Sequence, residues 1–282
     1  MKLRHLLNLV KFEHTLFAFP FAVMAAFLAA DGWPSARQLA LIAVAMVGAR
    51  SAAVAFNRIV DRQQDALNPR TKNRELPTDR VTLGQAWGVV VAGSLLFLVA
   101  AALLNRLTAV LSPVALCIIL LYSYTKRYSV LSHIALGLSD AIAPMGAWIA
   151  VTGAFALPAF LLSAAVVFWV AGFDVIYSCQ DIEFDRRHHL FSLPANLGIG
   201  PGLWIARGFH LLVVAMLLLL PFVSSLGAWF EAGVAVVAAL LLYEHRLVRP
   251  TDLSRVNAAF FTVNGFVSLL LMAFTLCDIF ME

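Results

Sequence analysis

Residues 50–77 read R-S-A-A-V-A-F-N-R-I-V-D-R-Q-Q-D-A-L-N-P-R-T-K-N-R-E-L-P, from Arg50 to Pro77. The stretch begins as the inner end of a long apolar run and ends as a block of charge. Asn57, Asp61 and Asp65 recur at every fourth position. On a helix each side chain is then turned only about 40° from the last, so the three share one face. An amide and two carboxylates in a ladder at a membrane boundary suit a hard cation. Mg²⁺ takes oxygen ligands, keeps several waters, and is usually held by one or two carboxylates together with substrate phosphates. A plainer reading stands beside it. Arg58, Arg62, Arg70, Lys72 and Arg74 are near enough to neutralise the acids as a solvated, ion-paired helix end.

Working outward, the whole chain is apolar. Of 282 residues, 62% are hydrophobic and only 13% charged, and mean hydropathy is +0.88. A soluble domain carries roughly twice that charged fraction. The apolar runs are continuous rather than alternating, which predicts membrane-spanning helices rather than a barrel. Turn signals divide them into nine expected spans, at about 15–30, 38–57, 84–104, 107–124, 132–152, 158–180, 202–222, 226–243 and 257–277. Net charge is +4, but the basic residues sit in short loops, so nucleic acid is not an expected partner. Cys117, Cys179 and Cys277 show no paired spacing, which argues against a disulfide framework or a zinc site.

The N-terminus and the loops after spans 2, 4, 6 and 8 hold nearly all the Lys and Arg. The alternate loops hold only Arg37 and Arg106. The positive-inside rule then predicts a cytoplasmic N-terminus in an inner, cytoplasmic membrane. Lys2, Arg4, His5 and Lys11 before the first apolar run resemble a signal peptide. Glu13 and His14 interrupt it, so a retained first helix is expected. Ser51-Ala52-Ala53, Gly137, Gly146 and Gly172 inside the spans predict close helix packing.

Span 6 ends in A-G-F-D-V-I-Y-S-C-Q-D-I-E-F-D-R-R-H-H. Asp174, Asp181 and Asp185 fall within about 20° of one helical line, and Glu183 points away. Asp174 lies deepest, and an ionisable group inside a span is by default a functional hypothesis. Both ladders end an even-numbered span and are followed by basic residues and then by Leu76-Pro77 or Leu193-Pro194, as in a divergent repeat. Two facing carboxylate clusters ringed by Arg and Lys predict a diphosphate site. Metal would bridge the phosphates, and cations would stabilise charge on the leaving group. Arg50 falls on the face of Asn57. Tyr122 and Lys126 form an i,i+4 pair beside Arg127, as site residues or as interfacial anchors. Asp140 needs a partner, in a structural or a site-lining role. His133 and His210 lack ligand-like spacing and suit packing or a single hydrogen bond, while His188 and His189 suit a solvated loop.

N-x-x-x-D-x-x-x-D after span 2, D-x-x-x-D after span 6 and Y-x-x-x-K-R after span 4 together resemble the UbiA family of membrane aromatic prenyltransferases. The resemblance covers essentially the whole chain, 1–282, as one domain. It implies nine helices in one bundle around a central cavity, open laterally to lipid and capped by loops on the cytoplasmic side. It further implies Mg²⁺ held by Asn57, Asp61, Asp65, Asp181 and Asp185, with Asp61, Asp65, Asp181, Asp185 and Lys126 serving catalysis. Arg50, Arg58, Lys72, Arg74, Tyr122, Arg127 and Asp174 would line the substrates. Many members carry N-D-x-x-D; here Arg58 replaces the first Asp, which predicts a phosphate contact instead of a metal ligand. The substrates implied are a polyprenyl diphosphate and a hydroxylated aromatic acid, with the lipid bilayer as setting and no obligatory protein partner. The stretch K-F-E-H-T-L-F-A-F-P-F-A, Lys11 to Ala22, is similar to the branch that prenylates 1,4-dihydroxy-6-naphthoate in menaquinone synthesis. The alternative acceptor is 4-hydroxybenzoate, in ubiquinone synthesis. A secondary transporter would also carry intramembrane acids and internal symmetry, but its ion sites lie near the midplane at broken helices. A membrane scaffold would explain neither ladder.

Overall fold

The structure is a computed structural model and describes residues 15–281. Lys2, Arg4, His5, Lys11, Glu13 and His14 therefore lie outside the described residues. No strand occurs among the described residues, only an isolated bridge between Arg249 and Asp252. The helices are α1 (Thr15–Ala30), α2 (Ala36–Val60), α3 (Arg62–Leu67), α4 (Leu83–Leu104), α5 (Arg106–Thr125), α6 (Ser132–Thr152) and α7 (Leu157–Ser178). They continue as α8 (Ile182–Arg187), α9 (Leu193–Leu197), α10 (Ile199–Leu219), α11 (Ala228–Leu247) and α12 (Asn264–Met281). Eight helical stretches among the described residues are long and apolar enough to cross a membrane. The described apolar part of α1, Phe17–Ala30, is shorter than these eight.

Local sequence explains where the helices begin. Ser35 and Gln38 form a reciprocal capping box at α2, and Thr82 with Gln85 repeats it at α4. Asn105 caps α5 and donates from Nδ2 to the Ile149 carbonyl at 2.7 Å, which ties the α4–α5 turn to the end of α6. The α6 C-cap is Gly153, at φ +71°, where only glycine is at ease.

Small residues set the distances between helices. A Cβ on Gly48 would lie 2.7 Å from the Gly93 carbonyl oxygen, so α2 and α4 cross nearly backbone to backbone. A Cβ on Gly137 would lie 2.3 Å from the Val167 oxygen, which fixes α6 on α7, and Gly172 makes room for the His210 ring of α10. Gly146 differs, since nothing lies within 4 Å of its missing Cβ. It faces the apolar cavity described below.

The core runs between α1, α6, α7, α10, α11 and α12, around Phe21, Trp169, Leu217, Phe230 and Leu271. α1 is packed inside it, with Ala22, Ala25 and Ala26 fully buried. α4 and α5 instead expose Val91, Leu95, Val99, Val110, Val114 and Leu121, as a lipid-facing surface requires. Several polar groups in the core are paired with one another. Trp169 Nε1 donates to Asn264 Oδ1 at 2.6 Å, and Asn264 Nδ2 donates to Glu244 Oε1 at 2.9 Å. Asp278 accepts from the Gly227 and Phe230 amides and so caps α11 from α12. A π-helical turn over Ala258–Val263 precedes α12.

Candidate active site

The first ladder is not one unbroken helix. α2 ends at Val60, and Asp61 stands at the junction with backbone angles of −90° and 8°. The Asp65 amide still donates to the Asp61 carbonyl at 2.7 Å, so the turn carries over into α3. Asn57, Asp61 and Asp65 all line one cavity of about 250 Å³. The second ladder reaches the same cavity from α7 and its extension. A 3₁₀ turn, Cys179–Asp181, connects α7 to α8, and Asp174, Asp181 and Asp185 all line the space. Lys126, Arg127, Arg74 and Tyr122 complete it from α5, the turn after it and the loop after α3.

Asp61, Asp65, Asp181 and Asp185 are each held by a cation. Asp61 Oδ1 lies 3.4 Å from Arg127 Nη2. Asp65 Oδ1 accepts from Arg74 Nη1 at 2.6 Å. Asp181 accepts from Arg70 through both Nε and Nη2, and from Asn68 Nδ2 at 3.1 Å. Asp185, wholly buried, pairs with Lys126 Nζ at 2.9 Å and accepts from Ser192 Oγ at 2.9 Å. The ion-paired arrangement weighed from sequence is thus present, inside a cavity. Because Asn68 and Arg70 follow α3 and Asp181 follows α7, the first connecting loop is tied directly to the second ladder.

Burial raises the Asp61 carboxyl above its ordinary pKa, and the Asp65 charge beside it adds to the effect. Burial alone would lower the Arg70 guanidinium, but the hydrogen bond and charge of Asp181 outweigh it and hold Arg70 above its usual value.

Four residues expected in this site are placed elsewhere or differently. Arg58 is buried and does not line the cavity. Its Nη1 lies 3.9 Å from Asp65 Oδ2, so it backs the ladder and does not face a ligand. Lys72 is exposed and outside the lining. Arg50 lines a separate, largely apolar cavity of about 150 Å³ and pairs there with Asp140 at 3.7 Å. Tyr122 lines both cavities and is the one residue common to the two linings. Glu183 is out in solvent, 4.0 Å from Arg187. Glu183→Gln is expected to leave turnover within a factor of about two, because exposed ion pairs contribute at most about 1 kcal/mol; a steady-state rate comparison checks this.

Sequence reasoning passed over Arg70, Asn68 and His133 as site residues. Arg70 lies in the same basic loop as Lys72 and Arg74, and only the chain's turn after Asn68 selects which of these point inward. His133 stands at the start of α6, facing α7 from across the basic turn. Its Nδ1 is 2.6 Å from Asp174 Oδ2, and its Nε2 accepts from the Leu193 amide at 3.2 Å.

A family model, the UbiA prenyltransferase family, matches residues 18–270. The chain belongs to that family. Among curated relatives, a 4-hydroxybenzoate octaprenyltransferase of Aromatoleum aromaticum is 31% identical over 254 residues, 88% of this chain and 84% of that one. One from Xanthomonas euvesicatoria is 35% identical over 229 residues, covering 80% and 74%. Among solved structures, a UbiA homologue from Aeropyrum pernix superposes with a TM-score of 0.85 at 37% identity, covering 94% of this chain and 98% of that one. A UbiA homologue from Archaeoglobus fulgidus, bound to GPP and Mg²⁺, superposes at 0.79 with 21% identity, covering 98% and 99%, a likeness of fold. This UbiA-family chain is accordingly a prenyl-group transferase embedded in a membrane by apolar helices.

Proposed function

We propose that this UbiA-family enzyme transfers a polyprenyl group from a polyprenyl diphosphate to a hydroxylated aromatic acid, with Mg²⁺. The observation that carries the reading is the convergence of both acidic ladders and Arg70, Arg74, Lys126 and Arg127 on one cavity. That cavity meets the apolar one at Tyr122. A charged head and a hydrocarbon tail would lie on opposite sides of that side chain, and the two spaces together form the proposed central chamber.

The donor set suits a hard cation. It consists of carboxylate oxygens and an amide, and Asp65 Oδ2 is buried without a hydrogen-bond partner. Among the described residues no three His, Cys, Asp or Glu side chains are already drawn together as a metal cluster, because the acids are turned to Arg and Lys. Asn57, Asp61 and Asp65 on one side, and Asp181 and Asp185 on the other, would hold Mg²⁺ once those cations turn to phosphate. Bound Mg²⁺ would supply neutralisation of the departing diphosphate. Arg70, Arg74, Lys126 and Arg127 would grip the phosphate oxygens and stabilise their growing charge. The allylic C–O bond breaks with its electron pair leaving on the diphosphate. A π pair of the electron-rich ring then forms the new C–C bond.

In the proposed setting α1 completes nine spans in one domain over residues 1–282. The N-terminus and both ladders face the cytoplasm from an inner membrane, and no protein partner or nucleic acid is required. The excess of Lys and Arg in the loops beside the ladders supports this orientation. For the acceptor, the Lys11–Ala22 stretch favours 1,4-dihydroxy-6-naphthoate. The relatives named 4-hydroxybenzoate octaprenyltransferases favour the second reading, 4-hydroxybenzoate. Membranes carrying the protein should be incubated with Mg²⁺, labelled polyprenyl diphosphate and each acceptor in parallel, with an EDTA control. Metal-dependent product from the naphthoate is expected. Product from the benzoate alone would replace the acceptor, and no product from any aromatic acid, with intact protein, would overturn the reading.

A further inference from the structure

Five acids line the polar cavity, and four of them are paired with Arg or Lys. Asp174 is the exception. Its partner is His133, whose side chain is 3% exposed and whose hydrogen bonds define its protonation. The Leu193 amide donates to Nε2, so Nε2 carries no proton. Nδ1 therefore bears the ring proton and donates it to Asp174 Oδ2 at 2.6 Å. Asp174 thus has a ring N–H on one oxygen and no Arg or Lys against it. Its other oxygen, Oδ1, makes no hydrogen bond among the described residues, and the side chain is 25% exposed to the cavity.

We propose that Asp174 is the base that removes the ring proton from the aromatic acceptor, with His133 as its positioning residue. The inference rests on the transferase reading above. When the C–C bond has formed, the ring is an arenium cation holding both the prenyl group and a proton on one tetrahedral carbon. Asp174 Oδ1 takes that proton, the C–H electron pair restores aromaticity, and the proton passes from the carboxyl to water through the cavity. An arenium ion is a strong acid, so the base needs position and free lone pairs more than strength. The four ladder carboxylates are less suited, because each already has an Arg or Lys against it. Asp140 is also unsuited, because it is paired with Arg50 and lines the apolar cavity. His133 holds one oxygen of Asp174 and leaves the other to the substrate. Its bond to Leu193 also links the base to the loop whose Ser192 holds Asp185.

The test uses full-length enzyme in lipid nanodiscs and the acceptor deuterated at the carbon that is prenylated. In the wild type, ionisation of the diphosphate precedes proton loss, and no primary isotope effect is expected. Asp174→Asn should lower kcat by about 10²–10⁴-fold, the usual contribution of a general base, and should unmask a primary isotope effect. Its KM for the polyprenyl diphosphate should not change. His133→Leu should show a smaller loss with the same isotope effect, and His133→Asn, which keeps a donor where Nδ1 stood, should restore much of the rate. Retained polyprenyl diphosphate binding reports that each variant is folded. Wild-type turnover in Asp174→Asn would overturn the proposal, and so would lost turnover with no isotope effect, which would assign Asp174 to substrate binding. A wild-type enzyme inactive toward every aromatic acid would instead remove the transferase reading itself.

Discussion

Asp61→Asn should abolish prenyl transfer, by on the order of 10³-fold or more, and leave the protein folded. The size follows from its place. In its proposed role Asp61 would help hold a charge-neutralising cation where leaving-group charge develops, and losing one such interaction typically costs about 10²–10³-fold. Losing a metal ligand removes more than a single hydrogen bond. The retained fold follows from burial and partners. The Asp61 side chain is 32% exposed, and Arg127 keeps its hydrogen bonds to the Val60 carbonyl and Gln64 Oε1 when the charge is gone. The sign of the electrostatics agrees. The folded-state pKa of Asp61 is raised, so the fold favours its neutral form, and its stabilising contribution is lost as pH rises through that value. A neutral amide should therefore cost no stability at neutral pH. The check is a turnover assay beside a thermal unfolding curve in detergent. Wild-type turnover in this variant would remove Asp61 from the diphosphate site.

The second large effect concerns assembly. Gly137→Val should leave little folded enzyme in the membrane. A Cβ at Gly137 would meet the Val167 oxygen at 2.3 Å and the Val167 carbonyl carbon at 3.0 Å. Backbone cannot rotate away as a side chain can, so α6 and α7 would have to separate. Overpacking against movable side chains already costs about 1–3 kcal/mol. The same crossing aligns His133, one turn earlier on α6, with Asp174 on α7, so residual protein should also be slow. Gly146→Ala is the matched control, since its added methyl enters open space. The monodisperse fraction after size-exclusion chromatography reports both, and equal yields would mean that the crossing yields more readily than its geometry implies.

The helical framework was legible because apolar length and turn chemistry act locally. The expected span at 132–152 coincides with α6, and that at 84–104 matches α4 within a residue. The last span, expected from 257, begins at Ala258 with the π-turn that leads into α12 and runs on to Met281. The acids were legible by spacing, and Asn57, Asp61, Asp65, Asp174, Asp181 and Asp185 do line one cavity. Their partners were not. Which cation meets which acid depends on loops from distant parts of the chain, as when Arg70 crosses to Asp181 and Lys126 to Asp185. Arg58, expected at a phosphate, is instead buried with its Nη1 toward Asp65. His133 gave no signal because its two partners, Asp174 and Leu193, lie 41 and 60 residues away.

The one-to-one pairing of ladder acids with arginine and lysine has a bearing on selectivity. At rest the charges within these four pairs cancel, so the paired groups exert little net pull on any passing ion. An anion entering alone would draw the guanidinium groups away and strand bare carboxylates in a poorly hydrated space. A cation entering alone would strand the guanidinium groups in the same way. Only a visitor that brings both signs of charge can trade partners with the whole set at once. Each half of such a visitor then strengthens the hold on the other, and by thermodynamic reciprocity the gain is equal in both directions. If the site holds both metal and diphosphate as proposed, a resting set of cancelled pairs would work as a coincidence detector, weakly responsive to either ion until both are present.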